Sequence, residues 1–197
     1  MARMAGLLIT EDTGAGGMSE LRPTPPIFSD IPEATKEDEI TLSGFAQPGV
    51  EVALYVNGAE YKKLLTDDAG VFTFDNVALI TGDNRIYAYA LASGNNESEQ
   101  SREYIIVQDV EPPEITLSSP ADGETFRTQS ARIATFQGMV NEEGVRVTVG
   151  DRVAIVSSDG AFSVPYQLAD GDQEISVKVI DRAGNETEKK VHLRWEQ

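Results

Sequence analysis

The 197-residue chain contains no cysteine, one histidine and one tryptophan. Without cysteine there are no disulfides, thiolate metal sites or cysteine nucleophiles. An extracytoplasmic home stays open, because domains of about a hundred residues fold without covalent staples. Positive charge is also scarce, with 16 basic residues against 33 acidic ones and a net charge of −17. The deficit is not a tail: there are 7 basic and 18 acidic residues up to Val110, and 9 and 15 after it. Such a surface repels phosphate backbones, so nucleic acid is not an expected partner. Long apolar runs are missing too. The stretch from Met1 to Ile9 is too short for a membrane helix or a complete signal peptide. It reads either as a loose start or as the end of a membrane anchor lying further upstream, and membrane contact is expected only through such an anchor. Helical periodicity is absent. The 40% hydrophobic content suits a folded chain, and its apolar residues alternate with polar ones as in strands.

What is present is a phrase written twice. Asp67-Asp68-Ala69-Gly70 leads into Phe72 and Phe74, and Ser158-Asp159-Gly160 leads into Phe162 and Val164. Upstream of each lies a glycine-closed strand pair, with Gly44, Gly49 and Gly58 in one copy and Gly138, Gly144 and Gly150 in the other. Downstream, Gly82-Asp83-Asn84 with Ile86 is echoed by Gly171-Asp172-Gln173 with Ile175. Last, Ser93-Gly94-Asn95-Asn96-Glu97-Ser98 is echoed by Ala183-Gly184-Asn185-Glu186-Thr187. An ordered series of matching signals marks two copies of one module.

The expected plan is a flexible tether over residues 1–26, a first domain over 27–108, a linker over 109–113 and a second domain over 114–197. The tether is rich in glycine and then proline, which oppose regular structure. In the first module, Ile40 to Gly44 alternates as a half-buried strand. Gln47-Pro48-Gly49-Val50 suits a type II turn. Val50, Val52, Leu54 and Val56 face a core, and Asn57-Gly58 closes a hairpin onto a strand from Glu60 to Leu65. Ile86, Ala88 and Ala90 continue the core, and Glu103 to Val107 ends the module. In the second, strands are expected at Ile115–Leu117, Ile133–Val140, Val145–Val149, Ala154–Val156, Phe162–Val164, Ile175–Val179 and Val191–Trp195. Pro165 marks its strand as short or at an edge. Short strands at turn spacings of roughly ten residues mean an all-β fold of two tandem sandwiches. Two prolines stiffen the linker, so the modules should sit end to end.

Three stretches carry a family resemblance. Gly44-Phe45-Ala46-Gln47-Pro48-Gly49-Val50-Glu51-Val52 resembles the opening of bacterial immunoglobulin-like domains. Asp68-Ala69-Gly70-Val71-Phe72 resembles their turn, and Asp181-Arg182-Ala183-Gly184-Asn185-Glu186-Thr187 their corner. The chain from Pro25 to Trp195 is similar to tandem domains of the glucodextranase domain-B type. That resemblance implies immunoglobulin-like β-sandwiches used as stalks, spacers, adhesin units or enzyme appendages. It also implies that acidic residues at a module junction can hold calcium. The candidates are Asp109, Glu111 and Asp181, although Leu91 and Ser93 stand where the second module has Asp181 and Ala183.

Other candidate sites are few. Tyr55, Tyr87 and Tyr89 project from the non-core side of their strands, where aromatics stack on sugars, anchor a protein partner or cover their own sheet. A cell-surface glycan or protein is therefore the partner class to test. Asp181 also reads as a turn-former that bonds the amides near Gly184 and Asn185. His192 lies on an outer strand face with no nucleophile or orienting acid in a motif around it. The acid pairs Asp67-Asp68 and Glu142-Glu143 fall in solvated turns, unsuited to glycoside hydrolysis. Asn96-Glu97-Ser98 and Asn185-Glu186-Thr187 match a glycosylation sequon but are better read as turns. Neither catalytic residues nor a cofactor are expected, and the chain should be a monomer. The functional expectation is a non-catalytic surface or secreted spacer or adhesion unit. The alternative is an accessory module of a carbohydrate-active enzyme.

Overall fold

The computed structural model describes residues 22–93, 96–127 and 132–196. Most of the expected tether and anchor, residues 1–21, lies outside the described residues. At its described end, Pro23 and Pro26 are buried. A proline ring is apolar and has no N–H to strand, so its burial costs little. Every strand of the described residues belongs to one of four sheets, and the apolar residues gather in two separate cores.

The first core lies between a three-stranded and a six-stranded sheet. β1 (Ile27–Ser29), β3 (Glu39–Phe45) and β6 (Val71–Ala78) form the smaller one. β2 (Ala34–Thr35), β9 (Tyr104–Gln108), β7 (Gly82–Ala92), β4 (Glu51–Val56) and β5 (Ala59–Leu65) follow in that order in the larger, with β8 (Asn96–Glu97) paired to β7. Leu42, Phe72, Phe74 and Val77 from one sheet meet Val52, Leu54, Ile86, Ala88 and Ile106 from the other. The alternation read from the sequence therefore decides which face is buried. Asn57 and Gly58 both have positive φ, 52° and 84°, as a two-residue hairpin turn of the primed type needs. Between β8 and β9 the ladder lapses, and the hydroxyls of Ser98 and Ser101 accept the Ala90 and Ala88 amides at 2.9 Å each.

The second core repeats this plan. β10 (Ile115–Ser119), β12 (Ile133–Val140) and β15 (Ala161–Gln167) form the small sheet. β11 (Glu124–Phe126), β17 (Glu186–Trp195), β16 (Gly171–Ile180), β13 (Arg146–Val149) and β14 (Arg152–Val153) form the larger. One expectation changes here, and one strand takes the edge position that its proline allowed. Ala154 to Val156 is not a strand; pairing stops at Val153, and Val156 makes a single bridge to Phe162. Ile155, between them, is 90% exposed. The strand containing Pro165 runs on to Gln167 because it is an edge, where a missing N–H breaks no ladder bond.

The repeat is physical as well as textual. A Cβ on Gly44 would sit 2.3 Å from the Ile27 carbonyl oxygen, and one on Gly138 would sit 2.4 Å from that of Thr116. Phe72 and Phe162 crowd the same two positions. Asn84 and Gln173 also act alike. Each side-chain amide spans both backbone groups of the residue four places earlier: Ile80 at 2.9 and 2.7 Å, and Ala169 at 3.2 and 3.0 Å.

Candidate functional site

The expected tyrosines form one cluster on the outer face of the first module's larger sheet. Tyr55 and Tyr87 are cross-strand partners, stacked 7° from parallel with ring centroids 5.2 Å apart. Tyr89 meets both rings edge-on, at 5.5 and 5.9 Å. Its cross-strand partner, Ala53, points away from the core yet is buried. Stacking uses one face of Tyr55 and one of Tyr87, so the cluster covers its sheet first. The Tyr55 and Tyr89 phenols stay protonated donors. Desolvation raises the Tyr55 pKa, helped by Glu60, and desolvation raises that of Tyr89, helped by Tyr87, Glu97 and Glu99. Tyr89 donates to Gln100 at 3.2 Å and Tyr55 to Glu60 at 3.4 Å.

The calcium candidates converge on the junction between the two modules, but as hydrogen-bonding groups. Asp181 Oδ1 accepts the Gly184 and Asn185 amides at 2.7 and 2.9 Å, and Oδ2 accepts Asn185 Nδ2 at 2.8 Å. Asp109 Oδ1 accepts the Glu111 amide at 2.9 Å. Among the described residues, no group of three or more His, Cys, Asp or Glu side chains is placed to hold a metal. Strand register also corrects the comparison of the two corners. Leu91 faces Glu51 as Ile180 faces Arg146, so Ala92, not Leu91, stands at the position of Asp181. A one-residue slip in the sequence match hid this, because both loops carry a Gly-Asn pair.

The corner reaches across the linker. Asn185 Nδ2 donates to the Asp109 carbonyl at 2.9 Å, although the two residues are 76 positions apart. The Lys36 amide donates to the Ala183 carbonyl at 3.1 Å, and its Nζ to the Gly184 carbonyl at 3.2 Å. Asp109 is held from the other side as well, because its amide donates to Thr35 at 2.9 Å. Glu142 stands beside this corner. Its carboxyl titrates above the usual glutamate range, first through desolvation and then through the charges of Asp181, Asp109 and Glu111. Lys36 and Gln108, the latter 95% buried with Nε2 on the Lys36 carbonyl at 3.5 Å, complete the junction. Sequence reasoning missed both. They act mainly through backbone groups, which no motif records.

His192 lies on the outer face of β17, 3.1 Å from Asp122 through Nδ1 and 3.2 Å from Glu174 through Nε2. Around it a shallow hollow of about 420 Å³ is lined by Asp172, Gln173, Glu174 and Arg194. Arg194 pairs with Asp172 at 2.9 Å, and Lys190 pairs with Glu174 at 2.8 Å. These exposed pairs lace β16 to β17 across their solvent face.

Comparison with known proteins agrees with this architecture. Residues 113–197 match the family described as glucodextranase, domain B. Bacillopeptidase F of Bacillus subtilis (strain 168) is 32% identical over 157 residues, covering 79% of this chain and 10% of that protein. The chain thus spans about a tenth of that relative's length. The fibronectin(III)-like modules of Clostridium thermocellum CbhA superpose with a TM-score of 0.60 at 16% identity, over 87% of this chain and 94% of theirs. Residues 113–197 are thus similar to glucodextranase domain B, and the chain has the fold of two tandem immunoglobulin-like β-sandwiches.

Proposed function

We propose that this chain is a non-catalytic extracytoplasmic spacer, which holds a neighbouring catalytic or binding unit at a set distance and orientation. The observation that carries this reading is the bonded junction. Asp109 is tied to the first module through its amide and to the second through its carbonyl. A linker fixed on both sides transmits orientation, whereas a free one would only tether. Both matches carry enzyme names, glucodextranase and bacillopeptidase. This supports service beside a catalytic domain in a longer exported protein. Small-angle scattering of the intact chain tests the reading. One conformation with a salt-independent maximum dimension is expected, because the junction is held by hydrogen bonds more than by charge pairs. A curve that only a flexible ensemble fits would overturn it.

The Tyr55, Tyr87 and Tyr89 cluster favours a second reading, contact with a glycan or protein through the first module. Its donors and ring edges face solvent beside Glu60, Glu97 and Glu99. A glycan and cell-surface binding screen with the intact chain and Tyr87→Ala separates the two readings. Binding lost in the variant supports recognition, and no binding by either leaves the spacer role alone.

A further inference from the structure

The junction works as plug and socket. The plug is the Asp181–Asn185 corner. The socket is the end of the first module, where β2 runs parallel to β9 with Thr35 opposite Gln108. The residues after that pair present the contacts: the Lys36 amide to Ala183, and the Asp109 carbonyl to Asn185.

The far end of the second module rebuilds the socket in the same register. β11 runs parallel to β17 with Phe126 opposite Trp195, the counterparts of Thr35 and Gln108. The Glu196 amide donates to Phe126 at 2.9 Å, as that of Asp109 donates to Thr35 at 2.9 Å. Arg127 therefore occupies the place of Lys36, and Glu196 that of Asp109. Basic and acidic character are kept at both positions, and the two side chains lie 3.7 Å apart.

We propose that this end is a docking socket for a further immunoglobulin-like module that carries an Asp-x-x-Gly-Asn corner. The Arg127 amide donates to the carbonyl two residues after the corner aspartate. The Glu196 carbonyl accepts the corner asparagine's side-chain amide. A second copy of the intact chain is not the occupant, because its own corner is engaged at its junction. The first module carries a socket without the matching plug, since Ala92 stands at the aspartate position. Docking therefore has one polarity, each new module adding at the Glu196 end. The inference rests on the spacer reading, in which modules are set in series.

The test repeats residues 110–196 directly after Glu196 of the intact chain. Amide exchange at Arg127 should slow about tenfold or more against the unextended chain, since a protected amide opens only with its contact. Asn185→Ala in the appended copy alone should restore fast exchange. Unchanged exchange at Arg127, with the copy's core amides protected, would overturn the proposal. Spin labels in the second module and the appended copy read the same docking independently. A narrow distance that Arg127→Pro broadens supports the socket, and a broad distance before substitution sinks it. A narrow distance within the original pair, read separately, keeps failure of this inference distinct from failure of the spacer reading.

Discussion

At the scale of single residues, Asn185 does two jobs. Its amide and side chain close the Asp181 turn, and its Nδ2 holds the linker. Asn185→Ala should cost about 1–3 kcal/mol, the range for a buried polar group whose partners are left open. Asn185→Asp should cost no less at pH 7, since it sets an acceptor against two acceptors; chemical denaturation measures both. Asn84 and Gln173 make the same pair of bonds, but Asn84 is fully buried and Gln173 only partly. Asn84→Ala should therefore cost about 2–3 kcal/mol and Gln173→Ala under about 1. Equal losses would mean that burial does not set the value of this bond pair. Glu142 gives a pH dependence of definite sign. Its carboxyl is raised in the folded state, so the fold keeps a proton that the unfolded chain releases. Ionising it weakens the fold. That penalty is absent below the ordinary glutamate pKa, grows as pH rises through the raised value, and is complete above it. Glu142→Gln should raise Tm at pH 7 and leave it unchanged near pH ~3. The same gain at both would place the effect outside titration.

At the scale of strands, legibility followed periodicity. β4, β7, β16 and β17 were readable because alternate apolar residues fill one face. β2, β11 and β14 were not, being two or three residues long. A period of two cannot register in so short a run, and parallel pairing with a strand some 70 residues away leaves no local trace. The end of the ladder at Val153 was equally hidden, because Ala154 to Val156 has strand-like composition and only tertiary pairing decides. Gly44 and Gly138 show where a strand glycine is steric. Gly44→Ala and Gly138→Ala push a methyl into a neighbouring carbonyl and a phenylalanine ring. Each should cost about 1–3 kcal/mol or more. Similar losses in urea titrations would bear out the structural repeat, and a neutral result at either position would break it.

For the whole molecule, the double sandwich was legible and the junction was not. The repeated turns, glycines and side-chain caps all lie within short sequence windows. The clasp joins Lys36, Asp109 and the corner across more than 70 positions, largely through carbonyls that every residue owns. Acidic residues near the linker pointed to the junction, where Asp109 and Asp181 accept hydrogen bonds. The Asp181 carboxylate is spent on amides. The melting midpoint should therefore be the same in calcium and in chelator. A rise of several degrees with calcium would restore a metal site, since binding to the folded state alone must stabilise it. The central claim is that the two modules hold one orientation through that clasp. The absence of native cysteine makes a direct test clean. Cysteines placed at exposed Thr73 and Lys189 can carry spin labels, and pulsed dipolar spectroscopy reads the distance between the modules. The account predicts one narrow distribution that Asn185→Ala broadens; a distribution already broad in the parent chain would contradict it.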